Sequence, residues 1–155
     1  MKVIYSCYWG SCLALVAASL HLGYLSSNNL CAENVLKLPG FGEMNHSRLG
    51  QLYYIGTDGA GCKIYILGSK KSGTIIKRAF IGFTHIYGMG KNSIYIEDLT
   101  GLNNFYISTG LLLLRLCSFR KIGFSLLLHG IKKAAPGLSH IVNKTKSTIK
   151  EKNKG

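Results

Sequence analysis

The order of apolar and polar residues predicts strands and helices that alternate along the chain. A β-rich run at Val3–Tyr5 is followed by a turn over Cys7–Ser11. From Leu13 onward, apolar residues recur at the spacing of one helical face. The chain is therefore expected to open with a strand, a tight loop and a buried helix. A short second helix is expected over Ala32–Leu38, ended by Pro39-Gly40.

A β-hairpin is predicted in the middle of the chain. Strands at Leu52–Ile55 and Lys63–Leu67 flank a short connection rich in Gly and Asp, Gly56–Gly61, which is typical of hairpins. A polar turn at Ser26–Asn29 and a loop at Phe41–Gly50 precede it. Because hairpin strands are antiparallel, the predicted sheet is mixed.

The last third of the chain continues the alternation. A strand is predicted at Ser93–Ile96, a helix at Asn103–Leu116 and a last strand at Phe124–Leu128. Pro136 is expected to open the last helix, because its missing N–H costs nothing in a first turn. The end of the chain, from Lys150, is expected to fray.

This alternation indicates an α/β fold. We expect a three-layer sandwich built on a mostly parallel, mixed sheet of about five strands, Rossmann-like or P-loop-like, with helices on both faces. A chain of 155 residues is the size of one typical domain. Residues 1–149 are predicted to form a single α/β domain, and residues 150–155 a basic flexible tail.

The charge of the chain favours an anionic partner. Nineteen basic residues stand against six acidic ones, a net charge of +13, which suits a nucleotide, nucleic acid, acidic protein or membrane surface. A basic solvated surface without a partner explains the same charge. Lysine outnumbers arginine fifteen to four, and lysine is the weaker indicator of bidentate phosphate recognition.

Several classes of protein do not fit the sequence. Five cysteines without a CxxC pair indicate buried free thiols rather than a disulfide framework or a zinc knuckle. Five scattered histidines lack metal-binding spacing, so no metal site is predicted. Polar residues interrupt the apolar stretches Cys12–Leu25 and Ile107–Gly130, which argues against a signal peptide and a membrane span. A cytoplasmic location is therefore expected.

The first candidate site is the loop Cys7–Cys12, hereafter the first loop. It joins a strand to a helix, so its backbone N–H groups suit an anion, and its candidate ligand-binding residues are Cys7, Gly10, Ser11 and Cys12. The order of strand, cysteine loop and helix resembles the low-molecular-weight phosphatases. Their chemistry needs an arginine six residues after the cysteine nucleophile. Leu13 stands there, which leaves packed, unreactive cysteines as the favoured alternative.

The second candidate site is the loop Gly68–Thr74, hereafter the second loop. It precedes a helix predicted from apolar residues at helical spacing up to Tyr87, with Ser72 as N-cap and Gly88 and Gly90 at its end. It has the two glycines of GxxxxGK[ST], but a threonine replaces the lysine. Its candidate ligand-binding residues are Gly68, Lys70, Lys71, Ser72, Gly73 and Thr74. An ordinary glycine turn with two solvated lysines is the alternative.

Other polar residues follow predicted strands. Glu97 and Asp98 end one strand, and an acid there can hold Mg²⁺ or accept a proton; a simple turn role is the alternative. His129 follows the predicted last strand at the same edge. Cys7, Asp98 and His129 are therefore the weak catalytic candidates. Asp98 is the residue at which a bound Mg²⁺ is considered.

The chain also resembles a known family. The resemblance rests on Val3–Gly10, on Ala17–Gly23, on Tyr65–Gly73 and on Gly130–Ala134. These segments are similar to the domain-of-unknown-function family 3189, a bacterial family found mainly in Firmicutes. The family pattern has a histidine before the first cysteine, where this chain has Ser6. The resemblance implies no established activity, and it points to the first and second loops as distinctive.

The leading functional hypothesis is an α/β protein that binds a phosphate-bearing small molecule or nucleotide between the first and second loops, with any catalysis degenerate. The alternative is a non-enzymatic nucleic-acid or protein-interaction module that uses the basic surface, including the lysines of the C-terminal stretch. A third hypothesis is that the protein is structural and binds no ligand.

Overall fold

The computed structural model describes residues 1–26, 30, 32–42, 49–90, 93–116 and 119–152. Four strands and five α-helices lie within these residues. In chain order, with a 3₁₀ turn at Thr100–Leu102 before α4, they are β1 (Lys2–Cys7), α1 (Leu13–Leu22), α2 (Ala32–Leu36), β2 (Leu52–Thr57), β3 (Lys63–Gly68), α3 (Gly73–Ile86), β4 (Ile94–Asp98), α4 (Phe105–Arg115) and α5 (Arg120–Lys152).

The four strands form one mixed sheet in the order β2-β3-β1-β4. β1 runs parallel to both β3 and β4, and β2 pairs antiparallel with β3. The mixed α/β architecture and the hairpin predicted from the sequence are confirmed. The expected number of strands was about five, whereas the described part of the chain contains four.

The missing strand is the run Phe124–Leu128, which was predicted wrongly. α5 passes through this run and through Pro136 without a break. Residues buried along α5 recur at helical spacing, among them Leu127, Ile131 and Leu138. A short apolar run is compatible with either a strand or a buried helix, and packing against α4 selects the helix.

Helices cover both faces of the sheet, but unequally. On one face, Val3 and Tyr5 share a large cluster of buried residues with α1, α4 and α5; we call it the covered face. On the other, Ile4, Leu67 and Ile96 form a small buried cluster against half-buried residues of α3; we call it the α3 face. Successive side chains of β1 point to opposite faces, as a strand requires.

Some predictions fall outside the described residues. The polar turn at Ser26–Asn29 and the loop at Phe41–Gly50 lie largely on residues 27–29 and 43–48. α5 includes residues 150–152, and residues 153–155 are not described, so the flexible tail stays a prediction. Across the described ranges, we find no helix that combines the length and the apolar character needed to span a membrane.

Candidate functional site

The ends of β1, β3 and β4 meet at one edge of the sheet. The Ser69 N–H donates to the carbonyl of Cys7 and the Lys70 N–H to the carbonyl of Tyr8, each at 2.9 Å. On the other side, the Leu99 N–H donates to the carbonyl of Ser6 at 2.8 Å. The end of β1 and the start of the first loop are therefore held between the second loop and the segment that follows β4.

Two glycines let the first and second loops touch. A Cβ at Gly10 would lie 2.9 Å from the backbone nitrogen of Gly68, and a Cβ at Gly68 would lie 2.8 Å from the carbonyl oxygen of Trp9. Gly10 also has a φ of +79°, which favours glycine. The two backbones are thus in direct contact, and no ligand fits between them at this point.

The thiols of the first loop are buried. The Cys7 Sγ accepts hydrogen bonds from the backbone N–H groups of Gly10, at 3.3 Å, and Ala14, at 3.4 Å. Burial nevertheless raises the pKa of Cys7, and burial together with the nearby Cys7 raises the pKa of Cys12 to about 12. Both thiols are protonated at neutral pH, which supports the packed alternative rather than a nucleophilic thiolate.

The second loop exposes its polar residues. Lys70, at a φ of +50°, is exposed, as are Lys71, Ser72 and Thr74. Ser72 stands at the N-cap position of α3, as predicted, but its side chain makes no capping hydrogen bond. The lysines of this loop are therefore accessible to an anion from solvent.

The carboxylate of Asp98 lies against the first residue of α3. A Cβ at Gly73 would collide with the Asp98 side chain. Asp98 Oδ1 also accepts hydrogen bonds from the Ser6 hydroxyl, at 3.3 Å, and from the N–H of Thr100, at 3.1 Å. A carboxylate is favourable beside a helix N-terminus, so the chain's own anion occupies the position that the sequence suggested for a phosphate.

Cys7 and Asp98 face opposite sides of the sheet. Asp98 bonds to the side chain of Ser6, and the neighbouring side chain of Cys7 points to the other face. The weak catalytic candidates Cys7 and Asp98 therefore do not share a cleft. Among the described residues, no group of three or more His, Cys, Asp and Glu side chains is placed to hold a metal ion.

His129 lies in α5 rather than after a strand. Its ring contacts that of Tyr106 in α4, with centroids 4.8 Å apart. His129 was predicted at the ligand-binding edge because it follows the run Phe124–Leu128. The prediction of a strand there is wrong, so it does not support that position for His129.

A cavity that the sequence did not suggest lies between the first loop and α4. Its volume is about 220 Å³, and its lining includes Tyr8, Trp9, Asn103, Ser108 and Arg115; we call it the Arg115 cavity. The Asn103 side-chain amide donates to the Ser108 hydroxyl at 3.1 Å. Arg115 is exposed in the last turn of α4. Arg115 of α4 thus lines the same cavity as Tyr8 and Trp9 of the first loop.

A second cavity flanks the other side of Trp9. Its volume is about 160 Å³, and Gly10, Ser11, Gly68 and Tyr53 contribute to its lining. Three of these are residues that the sequence placed at a ligand site. Trp9 therefore contributes to two openings at the carboxyl end of β1, and among their described lining residues the one basic side chain is Arg115.

A hydrogen-bond network of Tyr5, His21 and Asp58 is structural. The Tyr5 hydroxyl lies 2.7 Å from His21 Nδ1, and His21 Nε2 lies 3.2 Å from Asp58 Oδ2. Burial is the main cause that lowers the pKa of His21 and raises that of Tyr5. Asp58 also accepts N–H groups of the hairpin turn, so the network joins β1, α1 and the hairpin.

A family model described as Protein of unknown function (DUF3189) matches residues 2–147. The chain belongs to this family, as the resemblance in the sequence suggested. No curated protein and no solved structure matches the chain.

Proposed function

We propose that this protein binds a small phosphate-bearing molecule in the Arg115 cavity. The observation that carries the proposal is the meeting of Arg115, Asn103 and Ser108 with Tyr8 and Trp9 in one opening beside the first loop. The site differs from the second loop suggested by the sequence, because the Asp98 carboxylate beside Gly73 would repel a phosphate there.

The chemistry of the lining suits such a ligand. A guanidinium group binds phosphate through two parallel hydrogen bonds, and the side chains of Asn103 and Ser108 add neutral polar groups. Tyr8 and Trp9 offer aromatic surfaces for a sugar or a base. At about 220 Å³, the cavity lies below the usual range of about 300–1,000 Å³ for ligand sites, which favours a sugar phosphate or a mononucleotide over a larger cofactor.

The topology supports the same edge of the sheet. In open α/β sheets, ligands bind beyond the carboxyl ends of the strands. Tyr8 and Trp9, which line the Arg115 cavity, directly follow the carboxyl end of β1. The net charge of +13 would attract the anion to the protein.

A thermal-shift panel tests the proposal. Inorganic phosphate, sugar phosphates and mononucleotides are added to the wild type, to Arg115→Ala and to Arg78→Ala, a matched control because Arg78 is an exposed arginine on α3. A ligand present at one hundred times its Kd stabilises the native state by about 2.7 kcal/mol. We expect a rise in Tm for wild type and the control, and little or none for Arg115→Ala.

Failure of every phosphate compound to raise the Tm of the wild type would contradict the proposal. Binding to RNA or DNA that weakens steeply with salt, and that is equal in Arg115→Ala and Arg78→Ala, would favour the alternative of a nucleic-acid module.

A further inference from the structure

A larger cavity lies on the α3 face, toward the amino end of β4. Its volume is about 340 Å³. Phe80 and Ile81 of α3 and Ile94 and Ile96 of β4 provide apolar walls, whereas the Arg115 cavity lies at the opposite, carboxyl end of the strands. This volume falls within the usual range of about 300–1,000 Å³ for small-molecule sites.

The cavity exists because α3 covers its face of the sheet incompletely. Of the α3 residues, only Gly73 and Thr84 are buried, and Ile81 remains 50% exposed although it lines the cavity. Because this apolar lining is in contact with water, binding of an apolar ligand that displaces the water is favourable.

The polar residues of the cavity are basic or neutral. Lys77 and His85 line it from α3, and Lys152 from the end of α5. The Lys152 ammonium lies 5.5 Å from the centre of the Tyr95 ring, a cation–π distance. The described lining contains no acid, which favours an occupant with an apolar body and a negative charge.

We propose that this cavity binds an amphiphilic carboxylate, with its hydrocarbon part between α3 and β4 and its carboxylate at Lys77 and Lys152. A second copy of this chain is the less suitable occupant, because each copy carries a net charge of +13 and would bring lysines toward lysines. The lysines and the apolar walls together therefore favour an amphiphilic anion.

Decanoate, used as a monomer below its micellar concentration, is the probe. We expect one decanoate per chain in native mass spectrometry and a rise in Tm. Decanol lacks the charge and decylamine reverses it, so both are expected to bind at least about tenfold more weakly. Decylamine binding as tightly as decanoate would overturn the proposal.

Paired variants locate the site. Ile81→Asp places a carboxylate in the lining, and Ile75→Asp makes the same change at a residue of α3 that is 69% exposed and outside the cavity lining. Lys77→Met removes a charge at the cavity, and Lys132→Met removes an exposed charge on α5. We expect Ile81→Asp and Lys77→Met to raise the Kd for decanoate about tenfold or more and their partners to leave it unchanged.

Equal effects within each pair would overturn the proposal, as would binding of an acidic peptide in place of decanoate. Trp9 lines the Arg115 cavity and not this one, so decanoate binding should leave tryptophan emission unchanged. That readout separates failure of this inference from failure of the proposed phosphate site.

Discussion

The two faces of the sheet differ in how completely helices cover them. On the covered face, α1 is buried along nearly its whole length and shares one cluster with α4 and α5. On the α3 face, α3 packs over Ile4, Leu67 and Ile96. The first arrangement supplies most of the buried apolar area and hence most of the stability, whereas the second leaves apolar surface and a cavity open to ligands.

Truncation of core side chains should show the difference in stability between the two faces most strongly. Leu127 is fully buried on the covered face, so Leu127→Ala should lower the free energy of unfolding by about 2–5 kcal/mol. Ile81→Ala on α3 should lower it by less than about 1 kcal/mol, since Ile81 is half exposed. Urea unfolding measures both, and equal losses would contradict the comparison.

Glycine substitutions sharpen the same contrast. A Cβ at Gly110 would lie 2.7 Å from the backbone nitrogen of Leu127, whereas a Cβ at Gly82 would meet open space. Gly110→Ala should therefore push α4 away from α5 and destabilise the protein by about 1–3 kcal/mol. Gly82→Ala in α3 should stabilise it by up to about 1 kcal/mol, the gain in helix propensity. A stabilising Gly110→Ala would show that α4 and α5 do not approach this closely.

The elements that were predicted correctly depend on local pattern. The parallel strands and the hairpin carry β-rich runs bounded by turn residues, and α1 and α3 show helical spacing. The run Phe124–Leu128 was misread because its apolar residues suit both a strand and a helix. The close approach of Gly123 and Gly130 to α4 distinguishes a helix from a strand here. This contact joins residues that are not neighbours in the sequence.

The candidate site was predictable only in part. Chain direction indicated that loops after parallel strands would meet at one edge, and they do. The contact of Asp98 with Gly73 and the position of Arg115 beside Trp9 depend on how β4 and α4 pack back onto the first and second loops. No motif spacing in the sequence records those distances.

The smallest expected effect is a pH dependence of stability from the covered face. Burial lowers the pKa of His21 from 6.5, so the unfolded chain takes up a proton near pH 6.5 that the folded chain binds only at lower pH. Stability should therefore be greatest above pH 6.5 and fall as the pH drops below it. Urea unfolding of the wild type and His21→Gln measures this, and the variant should lose that part of the dependence. If His21→Gln keeps the full pH dependence of stability, titratable groups other than His21 cause it.

The most direct test of the proposed function uses the emission of Trp9, the chain's one tryptophan, which lines the Arg115 cavity. A fluorescence titration is performed with the phosphate compound that raises the Tm most, on wild type, Arg115→Ala and Arg78→Ala. We predict a saturable change in emission for wild type and Arg78→Ala, and a Kd raised about tenfold or more for Arg115→Ala. A compound that raises the Tm without changing Trp9 emission, or that titrates Arg115→Ala like the wild type, would contradict the account.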